Sequence, residues 1–191
     1  FRRQAFAGAH QIIVPSRVLE RIARETWRQP AERVTYIPNG VDLEELRALT
    51  PLDALPFTFE VLPWMSMRSP LFISVGRIET YKGFADSLEA FKRAAPSLPA
   101  DWGWLVVGEG PSRLSLQAAA FGLKDHIQFT GRVSEQTLHA LYAGSDVFLH
   151  PTRFEGSSLV TLESMAHGLP VIATRAGGIP APAFERRRRV Y

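Results

Sequence analysis

The sequence predicts an α/β protein in which a parallel, Rossmann-like sheet carries helices on both faces. Two observations carry this expectation. First, five short runs rich in Val, Ile and Phe recur: "LFISV" (71–75), "WLVVG" (104–108), "HIQFT" (126–130), "DVFLH" (146–150) and "PVIAT" (170–174). Second, each run is followed by a glycine, proline or polar turn and, for the first four, by a helical pattern. Strands that alternate with helices imply right-handed βαβ crossovers and a sheet buried on both sides.

Taken in order, "HQIIVPS" reads as a short buried strand ending at a proline, with Ser16 placed to cap a helix over Arg17 to Arg28. "RVTYIPNGVD" reads as a second strand closed by an Asn39-Gly40 turn, a pair that tolerates positive φ, and a brief helical stretch follows from Leu43. Thr50 to Pro70 holds four prolines and scattered aromatics without a clean period, so it reads as a connecting or inserted loop. Beyond it the expected helices run over Lys82–Ala94, Pro111–Phe121, Glu135–Ala143 and Ser158–His167. This organisation predicts three segments. Residues 1–32 belong to a neighbouring domain and its junction, 33–70 form a connecting segment, and 71–191 form the main domain, whose C-terminal end is expected to be incomplete.

Composition narrows the function classes. The chain has 191 residues, 46% of them apolar and 21% charged, as in a globular protein with a sizeable core. No apolar run approaches the roughly eighteen residues that cross a bilayer, and "FRRQAFAGAHQIIVPS" does not read as a secretory signal. With no cysteine there are no disulfides or thiolate metal sites, which fits a reducing, cytoplasmic interior. A formal charge of +3 gives no reason to expect nucleic acid as a partner. The one charge block, Arg186 to Arg189, reads as a solvated tail; the competing reading is a peripheral contact with a membrane surface.

Ligands of parallel sheets bind at the carboxyl ends of the strands, and the unusual residues of this chain fall there. In "RFEGSSLVTLESMAHGLPVIATRAGG" a helix starting near Ser158 directs free N–H groups and a positive dipole end at what precedes it. Gly156 admits a ligand close to the backbone, while Ser157 and Ser158 can cap or donate, which makes an anion site. Glu155 and Glu163 flank it, eight residues apart, and eight helical residues span about 12 Å. That is the reach from a hexose to a ribose across a diphosphate, with each carboxylate accepting from sugar hydroxyls. The competing reading makes Glu163 a surface residue and Glu155 a dipole partner. A second cluster, Gly76, Arg77 and Lys82, follows the strand at 71–75 and can aim two cations into the same crevice, where a departing diphosphate gathers charge. Its competing reading is a solvated basic pair.

Other chemistries find less support. "VVGEGPSR" has the first two glycines of a dinucleotide fingerprint but Arg113 in place of the third, leaving a dehydrogenase-type nucleotide domain as a weak rival. No Gly-Lys-Ser/Thr sequence, Asp-x-Asp sequence or metal-ligand histidine spacing is present, so no metal cofactor is expected.

In their order, "VGRIETYKG", "VVGEGP", "FTGRV", "LYAGSDVFLHPTRFEGSSLVTLESMAHGLPVIAT" and "GGIP" resemble the retaining GT-B glycosyltransferases with the Glu-x7-Glu motif, the glycosyl transferases of group 1. "IIVPS…YIPNGVD" looks like that family's junction between its two domains. The resemblance implies the C-terminal, donor-binding domain of a GT-B fold, with residues 1–32 a remnant of the N-terminal acceptor domain. It further implies that Arg77 and Lys82 bind the diphosphate of a nucleoside diphosphate sugar, with Gly76 beside them. Glu155 would contact the transferred sugar. Gly156, Ser157, Ser158 and Leu159 would offer backbone N–H groups to the sugar and phosphate, Glu163 would hold the ribose, and Arg132 and Val133 would lie by the base. The complete enzyme would pass the sugar to a hydroxyl acceptor with retention and without a metal, Arg77, Lys82 and Glu155 acting as its catalytic set. Two positions depart from the family pattern: Ser157 stands where a bulkier residue is common, and Ala181 where an acidic one is. The alternative is a non-catalytic nucleotide- or sugar-binding module, or an inactive fragment.

Overall fold

The computed structural model describes residues 6, 8–43 and 58–179. Ala181, the run Arg186–Arg189 and all but the first residue of the helix expected from Leu43 lie outside them. The chain divides into two compact units, one comprising residues 1–40, 154–159 and 175–191, the other 41–153 and 160–174.

In the first unit, β1 (Ile12–Val14) pairs in parallel with β2 (Val34–Tyr36). Helix α1 (Arg17–Arg21) starts where expected, because the Ser16 hydroxyl accepts the Leu19 N–H at 3.2 Å. It does not continue to Arg28 as an α-helix. Ile22–Thr26 widens into π winding that ends as the Trp27 N–H reaches the Ile22 carbonyl. Ile12, Val14, Ala23 and Val34 bury themselves between the helix and this strand pair.

The second unit is a five-stranded parallel sheet in the order β5-β4-β3-β6-β7. Its strands are β3 (Leu71–Val75), β4 (Gly103–Val107), β5 (Ile127–Gly131), β6 (Val147–His150) and β7 (Val171–Ala173). The helices are α2 (Thr58–Ser66), α3 (Phe84–Ala94), α4 (Arg113–Ala119), α5 (Glu135–Ala143) and α6 (Leu159–Ala166). Alternation along the strands sends side chains to two cores. Phe72, Trp104 and Val106 face one core with Phe84, Leu88 and Phe91 of α3 and Leu116 of α4; Leu71, Ile73, Val75, Leu105 and Val107 face the other with Leu141 and Tyr142 of α5. The doubly covered sheet is the one the alternating pattern predicts.

Another expectation fails. The prolines of Thr50–Pro70 suggest a loop, yet Thr58–Ser66 is the helix α2, with Pro63 inside it. Tertiary burial overrides the breaker: Val61 and Met65, four residues apart on one stripe, sink into the second core. The stretch that follows is anchored as well, since the Arg68 guanidinium donates to the Asp125 carbonyl at 2.6 Å.

The first core holds a polar contact that can be tested. The Trp104 indole N–H donates to the Ser74 hydroxyl at 2.9 Å, and both side chains are buried. Ser74→Ala leaves that donor unpaired, so urea unfolding should show a loss of about 1–3 kcal/mol. A loss below about half a kcal/mol would mean the pair contributes only shape.

Candidate active site

A cleft of about 440 Å³ opens at the carboxyl ends of β3, β4 and β5, lined by Gly76, Arg77, Gly108, Glu109, Arg132, Val133 and Leu138 among others. Four of the sequence-predicted residues, Gly76, Arg77, Arg132 and Val133, therefore meet in one place. Backbone packing makes this possible. The Gly76 N–H donates to the Val107 carbonyl at 3.0 Å, Gly108 N–H to the Gly131 carbonyl at 2.8 Å, and Ile78 N–H to the Glu109 carbonyl at 2.9 Å. Three loops interleave so closely that a Cβ at Gly108, whose φ is +131°, would stand 2.0 Å from the Gly76 carbonyl oxygen. The Arg77 side chain is 69% exposed, and its Nε lies 2.5 Å from Glu79 Oε1. The guanidinium is thus held at one edge with the rest of its fork toward solvent.

Among the cleft residues to which sequence reasoning assigned no binding role are Leu138 and Glu109, the latter in a Gly108-Glu109-Gly110 turn that falls at a strand's carboxyl end. Leu138 resembles any apolar helix residue. Glu109 sits in the turn that looked like a broken dinucleotide fingerprint, and Arg113, in the third glycine's place, forms an ion pair with its carboxylate. The turn serves the cleft rim.

Lys82 does not open the next helix as expected. It ends a 3₁₀ turn, Thr80–Lys82, and Gly83 (φ +72°) separates that turn from α3. The turn is pinned from the segment after β6. The Tyr81 carbonyl accepts the Arg153 N–H at 2.7 Å and the Thr152 hydroxyl at 3.2 Å, while the Arg153 guanidinium grips Asp86 through two bonds of 3.1 and 2.8 Å. Lys82 is half-buried, with its ammonium 5.7 Å from the centre of the Tyr81 ring.

Glu163 lies on α6, half-buried, with Oε2 3.3 Å from the Tyr142 hydroxyl. Burial raises its carboxyl above the ordinary range, while His139 and the Tyr142 hydroxyl act in the opposite direction. The reading of Glu163 as a plain surface residue does not survive this setting. Tyr142 itself is fully buried, and burial together with the Glu163 charge keeps its hydroxyl protonated well above the usual phenol range. Nothing in a single sequence distinguishes Tyr142 from a core aromatic.

Glu155, Gly156, Ser157, Ser158 and Leu159 belong to the first unit. Asn39, read only as a turn residue, donates from Nδ2 to the Ser157 hydroxyl at 3.0 Å. The Gly177-Gly178 pair lies directly on this segment. The Gly178 N–H donates to the Glu155 carbonyl at 2.8 Å, and a Cβ at Gly177 would come within 1.8 Å of that oxygen. Only glycines allow two backbones to approach so closely.

A second cavity, of about 390 Å³, is walled by Phe72, Phe91, Leu149 and Ile172 and offers little to hold a charged ligand. Among the described residues no group of three His, Asp or Glu side chains is gathered as a metal site requires, and no helix is long and apolar enough to cross a membrane.

Comparison with known proteins identifies the family to which the chain is similar. The family described as "Glycosyl transferases group 1" matches residues 65–182, and "Glycosyltransferase Family 4" matches residues 1–45. The sulfoquinovosyl transferase SQD2 of Arabidopsis thaliana is 41% identical over 111 residues, covering 58% of this chain and 20% of that protein. A GDP-mannose-dependent alpha-(1-6)-phosphatidylinositol monomannoside mannosyltransferase of Mycobacterium tuberculosis is 32% identical over 163 residues, 79% of this chain and 40% of its own. Among solved structures, Anabaena HepE in complex with UDP and glucose superposes with a TM-score of 0.75 at 22% identity, over 91% of this chain and 46% of that one. The chain spans less than half the length of each of these three proteins.

Proposed function

The chain belongs to the glycosyl transferases group 1 family and has the GT-B type of fold, and on that premise we propose that it binds the nucleoside diphosphate sugar donor of a retaining glycosyltransferase. The observation that carries this reading is the cleft at the carboxyl ends of β3, β4 and β5, which gathers Gly76, Arg77, Arg132 and Val133. In this reading Arg132 and Val133 lie beside the base and Glu163 accepts from the ribose hydroxyls. Arg77 and Lys82 bind the diphosphate. As the bond to the sugar breaks, negative charge grows on the leaving diphosphate, and two fixed cations stabilise it more in the transition state than in the bound donor. They take the part a divalent metal would otherwise fill, so no metal is required. Glu155 and the backbone of Gly156 to Leu159 receive the transferred sugar. A hydroxyl acceptor, glycan, lipid or small molecule, is supplied by residues beyond this chain. Without that half the 191-residue chain should bind nucleotide weakly and not turn over, since positioning of the acceptor is lost.

Calorimetric titration with UDP, GDP and ADP tests this. One nucleotide should bind in preference to the others, and Glu163→Ala should weaken it about tenfold, the worth of a hydrogen bond to a charged group. Unchanged affinity in Glu163→Ala, or tighter binding of a nicotinamide dinucleotide, would sink the reading.

A further inference from the structure

Tyr142 is buried where nothing in the proposed chemistry asks for a hydroxyl. Its ring is locked from several sides. It packs edge-on to Phe148 at 5.9 Å, lies nearly parallel to His167 at 5.7 Å, and is tilted against His139 at 6.1 Å. The two imidazoles are tied together, His139 Nδ1 to His167 Nε2 at 2.9 Å, and His139 Nε2 stands 4.0 Å from the Glu135 carboxylate. The tyrosine ring therefore has one orientation, and its hydroxyl oxygen is delivered to a point 3.3 Å from both Glu163 Oε2 and the Val160 carbonyl. A hydroxyl has one proton to donate. Offered a carboxylate and a neutral carbonyl at equal distance, it goes to the charge.

We propose that Tyr142 is a positioning residue for Glu163: its hydroxyl donates a hydrogen bond to the ionised carboxylate and turns that bond to the Val160 carbonyl when Glu163 is protonated, so Tyr142 orients the group that holds the donor ribose and favours its ionised form. This rests on the role proposed for Glu163. The charged and titratable groups around that carboxylate are Tyr142, His139 and Glu135 of α5 and, just past the end of α6, His167, whose backbone N–H donates to the Glu163 carbonyl at 3.1 Å. Burial and the neighbouring His139 hold the His167 imidazole below its ordinary range. The hydroxyl opposes the upward push of burial on Glu163, keeping the carboxylate ionised over more of the pH range in which it must accept hydrogen bonds.

Tyr142→Phe is the test, since it removes one oxygen and keeps the ring stack. The first readout needs no ligand: the Glu163 carboxyl is titrated by ¹³C NMR in the 191-residue chain and in Tyr142→Phe. The midpoint should move upward in the variant. A purely structural tyrosine would leave it where it was and would overturn the proposal. The second readout is affinity for the nucleotide that the chain prefers, measured from pH 5 to 8. In the chain the affinity should fall as pH drops through the Glu163 midpoint. In Tyr142→Phe this acidic limb should move to higher pH, with a roughly three- to tenfold loss at pH 6 and a smaller one at pH 8. In Glu163→Gln the limb should vanish. A Glu163→Gln variant that binds as tightly as the chain at every pH removes the ribose role itself. A limb that vanishes in Glu163→Gln but does not move in Tyr142→Phe removes only the role of Tyr142.

Discussion

Lys82→Ala should lower kcat/KM of the complete transferase by about 10²–10³-fold, the loss seen when one preorganised donor to a developing anion is removed. Affinity for the intact nucleoside diphosphate sugar should fall less, by about tenfold, because its esterified diphosphate carries less charge at the bond to the sugar than the transition state does. The asymmetry follows from how the ammonium is held. Lys82 closes a 3₁₀ turn whose Tyr81 carbonyl is fastened by Thr152 and Arg153, and Arg153 is itself clamped on Asp86. Its backbone is set before any ligand arrives, so little reorganisation opposes the reaction. Lys82→Arg keeps the charge but moves it to a planar fork at a different reach, and should recover affinity better than rate. Lys92→Ala serves as the control, since that lysine sits on the exposed side of α3 and pairs only with Glu89 among the contacts described. Losses in kcat/KM of less than about threefold for Lys82→Ala would exclude it from transition-state stabilisation.

The second large effect concerns stability. Gly108→Ala should cost about 3–5 kcal/mol, the sum of an unfavourable backbone conformation at φ +131° and a Cβ placed 2.0 Å from the Gly76 carbonyl oxygen. What the new methyl meets is backbone at the end of the adjacent β3, with no flexible side chain to swing aside. A globular chain of this kind has about 5–15 kcal/mol to lose, so thermal unfolding followed by circular dichroism should shift down by about 10 °C or more. The interleaved turns that shape the cleft would part together, and nucleotide binding would go with them. An unfolding midpoint within about 2 °C of the unsubstituted chain would show that the turns at Gly76 and Gly108 can separate without strain.

Both expectations join features of very different visibility. The periodic signals reach far. Strand Leu71–Val75 and helix Glu135–Ala143 fall where the pattern of apolar residues places them, because their burial is dictated by alternation and by the 3.6-residue stripe. Boundaries set by three-dimensional contacts did not show. Thr58–Ser66 is helical against its proline because Val61 and Met65 find a core contributed by strands from elsewhere in the chain, and α3 begins at Phe84 because Gly83 takes a left-handed conformation.

The amino-acid sequence by itself determined the class of sheet, the order of its elements and the ends of the strands where polar residues collect, since these follow from local periodicity and turn chemistry. It also brought forward Arg77, Lys82, Arg132, Glu155 and Glu163 as the residues worth explaining. Only the tertiary structure decided that Gly76, Arg77, Arg132 and Val133 share one cleft, that Glu109 and Leu138 belong to it, and that Tyr142 holds its hydroxyl against Glu163. Those relations join residues tens of positions apart, through the stacking of loops and helices on a sheet. Their energies come from close packing and from the desolvation of a charge, neither of which exists until the chain has folded.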